Sequence, residues 1–174
     1  MKTSEKAYSA GIFDGEGNIS SNGTGGINLV ITCKKQNGEL MPWLEEVWGG
    51  KTYPIGNGVF QWKATGSILQ TRFLLKTLPF LRLKKNQARL ALSLLFLIRK
   101  LSPVFHSRQQ PDEVLLHRQI LLNVIKECNA DTPPTETERE RLIGITKQLL
   151  GRYLSVCDSP PLREAEPEEC GACR

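Results

Sequence analysis

The stretch AYSAGIFDGEGNIS, Ala7 to Ser20, sets two carboxylates, three glycines and two alanines between short apolar runs. Ser4 can cap a helix that runs to about Asp14. On that helix Ala7, Ala10, Gly11 and Asp14 share one nearly bare face, which another backbone could approach closely. Tyr8 and Ile12 fall on a second face, which is expected to anchor in the protein's own core. Asp14 and Glu16 then sit at the helix C-terminus, where partial negative charge already accumulates.

Several uses of an acidic, glycine-rich turn are excluded by spacing. A calcium loop starting at Asp14 needs Gly at its sixth position and Glu at its twelfth, which here are Ile19 and Gly25. A dinucleotide loop needs a preceding strand, and Ser20 stands at its third glycine. No Walker loop is present, and the two carboxylates are too close in sequence to straddle a sugar. Two readings stay open: a hard divalent cation held by oxygen ligands, or a carboxylate that caps its own turn.

Outward from this stretch, Ile27, Leu29 and Ile31 alternate with Asn28, Val30 and Thr32, the pattern of a half-buried strand. With Ile19–Asn22 and a turn at Gly23–Gly26 it makes a hairpin. GELMPWLEEVWGG reads as a short helix stopped by Gly49 and Gly50. KTYPI, a GNG turn and VFQWKAT make a second hairpin. SILQTRFLLKTLPFL, closed by Pro79, and LKKNQARLALSLLFLIRKL are two more helices. Amphipathic stretches near Glu113–Cys128 and Glu136–Leu154 add a final pair. The fold class is α+β, with helices appended to a helix–hairpin–helix–hairpin–helix core at about residues 4–101. The C-terminal helices occupy about 111–156, so that 1–157 form one domain. The Pro/Glu-rich residues 158–174 are expected to be a disordered tail.

Residues 1–110 carry 15 Lys/Arg against 6 Asp/Glu, whereas 111–174 carry 8 against 12. A basic first part with an acidic end suggests a polyanion-binding face on the first part. Residues 1–20 lack a basic start followed by an apolar run, so no secretory leader is expected. The apolar run Leu90–Ile98 falls far short of the roughly 20 residues of a membrane span. Five irregularly spaced cysteines argue against a disulfide framework and for a reducing, intracellular setting, whether organelle, bacterial cytoplasm or phage-infected cell.

Residues 9–17, SAGIFDGEG, resemble the LAGLIDADG motif of homing endonucleases. Ala10 to Gly17 sit on the motif or its conservative variants. Ser9 departs from the usual Leu, and Glu16 replaces the frequent Asp while keeping the carboxylate. The element order resembles that family's αββαββα core, and LPFLRLKKNQARLAL (Leu78–Leu92) resembles the stretch before its fourth helix, where relatives carry a lysine near the active site. Lys84 matches it. The resemblance spans roughly Ser4 to Lys100.

It implies a site-specific double-strand DNA endonuclease of the single-motif type, a homodimer acting in intron homing on a long pseudo-palindromic site. By that resemblance Glu16 from each subunit, with the Gly15 carbonyl, binds Mg²⁺ or Mn²⁺, and Lys84 offsets charge on the phosphate. Ala7, Ala10, Gly11 and Asp14 are the implied dimer interface, with Asp14 capping the partner helix. Relatives cut both strands across the minor groove. The strand residues Ser20, Asn22, Asn28, Val30, Thr32, Lys51, Tyr53, Gln61 and Lys63 are the implied base-reading set. Lys34, Lys35 and Lys85 are the implied phosphate contacts. The alternative is an RNA-splicing maturase, with intron RNA as partner, or a DNA-binding protein that does not cleave. No membrane partner is expected. Cys170-Gly-Ala-Cys173 offers too few ligands for zinc, His106 reads as surface, and Trp43, Trp48, Phe60 and Trp62 read as core rather than as a stacking platform.

Overall fold

The computed structural model describes residues 1–34, 39–101, 110–128 and 133–155. In chain order the elements are α1 (Thr3–Glu16), β1 (Gly17–Ser21), β2 (Ile27–Lys34), α2 (Leu40–Trp48), β3 (Lys51–Gly56), β4 (Val59–Lys63), α3 (Gly66–Thr77), α4 (Lys85–Leu101), α5 (Asp112–Glu127) and α6 (Glu136–Ser155). The expected αββαββα order is therefore present from α1 to α3, followed by the three helices α4, α5 and α6. A short 3₁₀ turn at Leu78–Phe80, containing Pro79, separates α3 from α4. Lys35, His106, Cys157 and the expected tail at 158–174 lie outside the described residues. Among the described residues no helix is long and apolar enough to cross a membrane.

The four strands form one antiparallel sheet in the order β1-β2-β4-β3. Asn57 and Gly58, both at positive φ, close the second hairpin with the two-residue loop whose twist suits paired strands. One sheet face carries Ile19, Ile27, Leu29, Ile31 and Trp62 and is buried against helices α1, α3, α4 and α5. Trp48 and Trp62 are fully enclosed, while Trp43 and Phe60 pack at the margin of the same core. α6 lies against α4 and α5.

α1 differs from its sequence reading in three ways. Its N-cap is Lys2, whose amide donates to Glu5 Oε2 at 2.5 Å, so Ser4 is already helical. It continues through Glu16, so Gly15 and Glu16 form its last turn instead of following it. Its core face is Ser9, Ala10 and Phe13, while Tyr8 is 59% exposed. Phe13 decides the rotation: its ring meets Phe73 edge-on at 5.3 Å in the centre of the core, and Tyr8 is left to pack on Trp43 at 5.1 Å. Three rings, Phe13, Trp48 and Trp62, converge on Phe73.

Ser9 has a physical role that a leucine could not fill. Its hydroxyl donates to the Glu5 carbonyl at 2.7 Å and accepts the Trp48 indole N–H at 2.8 Å, in a buried contact that ties α1 to α2. Removing the hydroxyl strands that indole donor in the core. Ser9→Ala is expected to lower stability by ~1–3 kcal/mol, the cost of an unsatisfied buried donor. Urea denaturation followed by tryptophan fluorescence measures it; an unchanged midpoint would refute the assignment.

Candidate active site and nucleic-acid face

The site begins at the α1–β1 junction. Gly17 lies so close to Phe13 that a Cβ built on it would stand 2.1 Å from the ring carbon Cδ2. Only glycine lets the strand leave the helix there, with Gly17 pairing opposite Ile31. The last turn of α1 is thus pressed against the inner end of the sheet, and Glu16 is exposed there.

Asp14 faces the other way. Its carboxylate accepts the backbone N–H of Arg82 at 2.7 Å and of Lys84 at 2.9 Å, and Lys84 Nζ donates to the Asp14 carbonyl at 2.5 Å. Within the chain, both Asp14 oxygens bond the segment before α4. The clamp also places an ammonium group at a helix C-terminus, where the backbone dipole favours a cation. The negative charge that gathers at the end of α1 is therefore partly answered from within the chain. Cys33, buried on β2, completes the neighbourhood: burial, and secondarily the Glu16 charge, pushes its thiol pKa up.

Of the residues expected to meet a second copy, Ala7 and Gly11 are exposed. Ala10 is not: it is 0% exposed, inside the core of its own chain, because Phe13 turns that side of the helix inward. The outward face instead combines Ala7 and Gly11 with Tyr8 and Gly15. Nothing approaches within 4 Å of a Cβ built on Gly11 or Gly15. A groove of ≈ 1090 Å³ runs along this face, floored by the two glycines and walled by Tyr8, Ile12, Leu40 and Trp43.

The strand residues expected to read bases lie together on the sheet face opposite the core. Register pairs Ser20 with Asn28, Val30 with Lys63, Thr32 with Gln61, Lys51 with Lys63 and Tyr53 with Gln61. Lys34 projects from the same face, as does Asn18, which pairs with Val30. Asn18 was missed, although extending the alternation two residues back from Ser20 reaches it. The face carries Lys34, Lys51 and Lys63 and no carboxylate among these residues. Gln61 Nε2 donates to Thr32 Oγ1 at 3.4 Å, which steadies the middle row.

Two members of the set are otherwise employed. Val30 is only 6% exposed, its methyls covered by cross-strand neighbours on both sides. Asn22 Oδ1 accepts the amides of Thr24 at 3.0 Å and Gly26 at 2.9 Å together with the Thr24 hydroxyl, so its carbonyl folds the turn. Lys85 is exposed at the start of α4, beside the half-buried Lys84.

A carboxylate and helix-end carbonyls are hard oxygen donors that suit magnesium or calcium, and Glu16 with Gly15 fits that requirement. Among the described residues no three His, Cys, Asp or Glu side chains converge as a cation cage.

Solved structures with this architecture are known. The chain superposes on the homing endonuclease I-CvuI in complex with the I-CreI target in magnesium, where the DNA is not cleaved, with a TM-score of 0.60 and 18% identity over 84% of this chain and 94% of that one. It superposes equally on I-CvuI bound to its own target in calcium, with a TM-score of 0.59 and 17% identity over 86% and 96% of the two chains. The fold is that of the LAGLIDADG homing endonucleases. No protein-family model matches the chain, and no curated protein matches it in sequence.

The Asp14 clamp makes a direct prediction. Asp14→Ala removes two hydrogen bonds to a charged acceptor and is expected to cost ~1–3 kcal/mol of stability, with Asp14→Asn, which keeps one acceptor oxygen, closer to wild type. Chemical denaturation reads the difference. Unchanged stability with lost self-association would return Asp14 to the partner helix.

Proposed function

We propose that this protein is a LAGLIDADG-type homing endonuclease that acts as a homodimer and hydrolyses both strands of a long, roughly palindromic DNA site. The observation that carries the reading is the end of α1. There the exposed Glu16 carboxylate and the Lys84 ammonium, held by the Asp14 carbonyl, occupy one helix turn at the inner edge of a basic, carboxylate-free strand face.

In this reading Glu16 and the Gly15 carbonyl hold a divalent ion, Mg²⁺ or Mn²⁺. Such an ion, when bound, polarises the scissile phosphate and lowers the pKa of water. Lys84 supplies positive charge to the phosphate as negative charge builds in the transition state, and its tether to the Asp14 carbonyl keeps it in place beforehand. Ser20, Asn28, Thr32, Tyr53, Gln61 and Lys63 present donors and acceptors to base edges in the major groove. Lys34, Lys51 and Lys85 meet phosphates, which set position without reading sequence.

Self-association follows from the groove on α1. A second copy of the helix crossing at Gly11 and Gly15 would bring the two Glu16 residues to a two-fold axis and cover Tyr8 and Trp43. One acidic foot per chain then serves one strand each, and each sheet reads one half-site.

Two variants test these parts separately. Glu16→Gln is expected to abolish cleavage in Mg²⁺ while leaving DNA affinity within about threefold, since the carboxylate makes no positioning contact. Wild type and variant are incubated with a randomised duplex library, and bound and cut molecules are sequenced. Cut products from wild type alone, sharing a near-palindrome, support the enzyme. Enrichment without cutting moves the assignment to a DNA-binding protein that does not cleave, and absence of both makes intron RNA the partner to assay. Gly11→Leu is expected to give a monomer in analytical ultracentrifugation with its fold intact, because the added side chain meets nothing within its own chain. A normal dimer boundary would refute the helix packing.

A further inference from the structure

The β1–β2 turn is held from behind by a single side chain of the C-terminal helices. Arg118 on α5 donates through Nη2 to the Gly25 carbonyl at 3.1 Å and through Nη1 to Gln110 Oε1 at 2.7 Å. Gln110 is buried, and burial pulls the guanidinium's pKa down from its usual value, so the group is partly withdrawn from water. The contact is close-fitting. Gly25 has φ +82, and a Cβ built on it would stand 3.0 Å from Arg118 Nη2. The guanidinium packs against the turn backbone as well as bonding to it.

The surroundings give this contact its consequence. The shape of the turn is already set locally, by the Asn22 carboxamide bonds to Thr24 and Gly26. Beneath it lies a recess of ≈ 340 Å³ bordered by Asn22, Thr24, Gln70, Leu95, Ile98 and Arg118. The turn is thus a stiff unit over open space, and Arg118 reaches across to fix where that unit sits. Nearer the middle of β1 the sheet is fastened differently, by Gln87 Nε2 of α4 donating to the Ile19 carbonyl at 3.3 Å and to Ile125 of α5 at 3.2 Å. The pair Ser20–Asn28 lies between these two ties, one pair before Ser21–Ile27 and the turn, and is the outermost β1–β2 pair whose side chains lie on the face opposite the core.

We propose that Arg118 is a specificity-determining positioning residue: by anchoring the Gly25 carbonyl to α5 it sets the tilt of the outer β1–β2 hairpin, and through it the reading of the outermost base pairs of each half-site by Ser20 and Asn28. The inference rests on the DNA-cutting function proposed above. It gives the C-terminal helices a part in recognition although their own residues lie behind the sheet. An arginine suits the task because its planar fork bonds two acceptors at once, here one on the turn and one on the α5 side.

The test uses the full chain as wild type, Arg118→Gln, Arg118→Lys and Gln110→Leu, with two readouts. The first is backbone ¹⁵N relaxation, which needs no DNA. Order parameters at Gly23–Gly26 are expected to fall in Arg118→Gln, from values typical of rigid backbone toward about 0.6, while β2 and β4 stay unchanged. The second is the base preference of cleavage across the randomised site. Arg118→Gln is expected to lose preference at the outermost positions by roughly tenfold, the scale of one base contact, with inner positions and overall cleavage of the best site retained. Gln110→Leu should move both readouts the same way but less, and Arg118→Lys, which keeps one donor, should recover part of the loss. Unchanged order parameters at the turn overturn the inference, as does a preference lost evenly across the site. If wild-type protein neither binds nor cuts DNA, the functional reading fails and the specificity role fails with it, while the relaxation data still decide whether Arg118 fixes the turn.

Discussion

The ring of Phe13 lies against the bare α-carbon of Gly17, and most of the molecule is arranged around that contact. It seats the last turn of α1 on the first residue of the sheet, so helix and strand join without a loop. It also fixes the rotation of α1. With Phe13 inward against Phe73, the neighbouring Ser9 and Ala10 turn inward too, and Tyr8, Gly11 and Gly15 turn outward. The same rotation divides the two carboxylates of the last turn. Asp14 points to the segment before α4 and Glu16 to solvent, so two acids separated by one residue acquire unrelated roles. A glycine and a phenylalanine four residues apart thereby decide which groups are available for chemistry.

Much of this arrangement could be read from the sequence, and the parts that could not share a cause. The β2 alternation, the Asn57-Gly58 turn and the helix stop at Gly49 are local, and each appears where pattern and turn chemistry place it. The bare patch on α1 was also visible, but its orientation was not. Helical spacing allows Tyr8 and Ile12 or Ser9 and Phe13 to face inward; Ser9 and Phe13 are enclosed, with Phe13 against Phe73, sixty residues away, while Ile12 packs at the core margin and Tyr8 stays exposed. Asp14 illustrates the same gap: an acid at a helix end needs a partner, but the donors are the amides of Arg82 and Lys84. Asn22 and Val30 were assigned by strand parity, which gives the face of a residue but neither its exposure nor its prior commitments. Arg118 lay beyond reach because its acceptor, Gly25, is 93 residues distant and is a backbone oxygen.

Those distant partners are repeatedly a polar side chain that bonds a group on another element. Ser9 receives the Trp48 indole, Gln70 donates to the carbonyls of Ile27 and Ala64, and Gln87 to those of Ile19 and Ile125. Each carbonyl tied by a glutamine lies at or beyond the end of an element, or beside an edge strand, where the regular ladder leaves an acceptor over. Apolar residues would fill the same space but give up these hydrogen bonds between layers. Buried amides at 4–6% exposure are therefore structural necessities of joining a four-stranded sheet to five helices, and they define the register in which the layers meet.

Charge is sorted by the same geometry. Three carboxylates of the acidic second half are paired on the helices: Glu140 meets Arg89 of α4 at 2.5 Å, Glu136 meets Arg139 within α6 at 2.9 Å, and Glu113 of α5 meets Arg152 at 2.9 Å and the Tyr153 hydroxyl of α6. The Tyr153 hydrogen bond first, then Arg152, holds the Glu113 carboxyl below its usual range, and Arg139 does the same for Glu136. Exposed pairs of this kind add little stability. Their effect is on where charge resides. Each of these carboxylates lies on α5 or α6 and is matched by a cation on α4 or α6. The cross-strand rows that hold Lys51 and Lys63 contain no carboxylate, although Glu45 of α2 accepts the Thr52 amide of β3. At physiological ionic strength the field of these lysines fades within about 8 Å, which confines it to whatever lies directly on the sheet. The net charge of +5 is thus unevenly spread, with lysines on the strand face, ion pairs on the helices behind the core, and Glu16 exposed where α1 runs into the sheet.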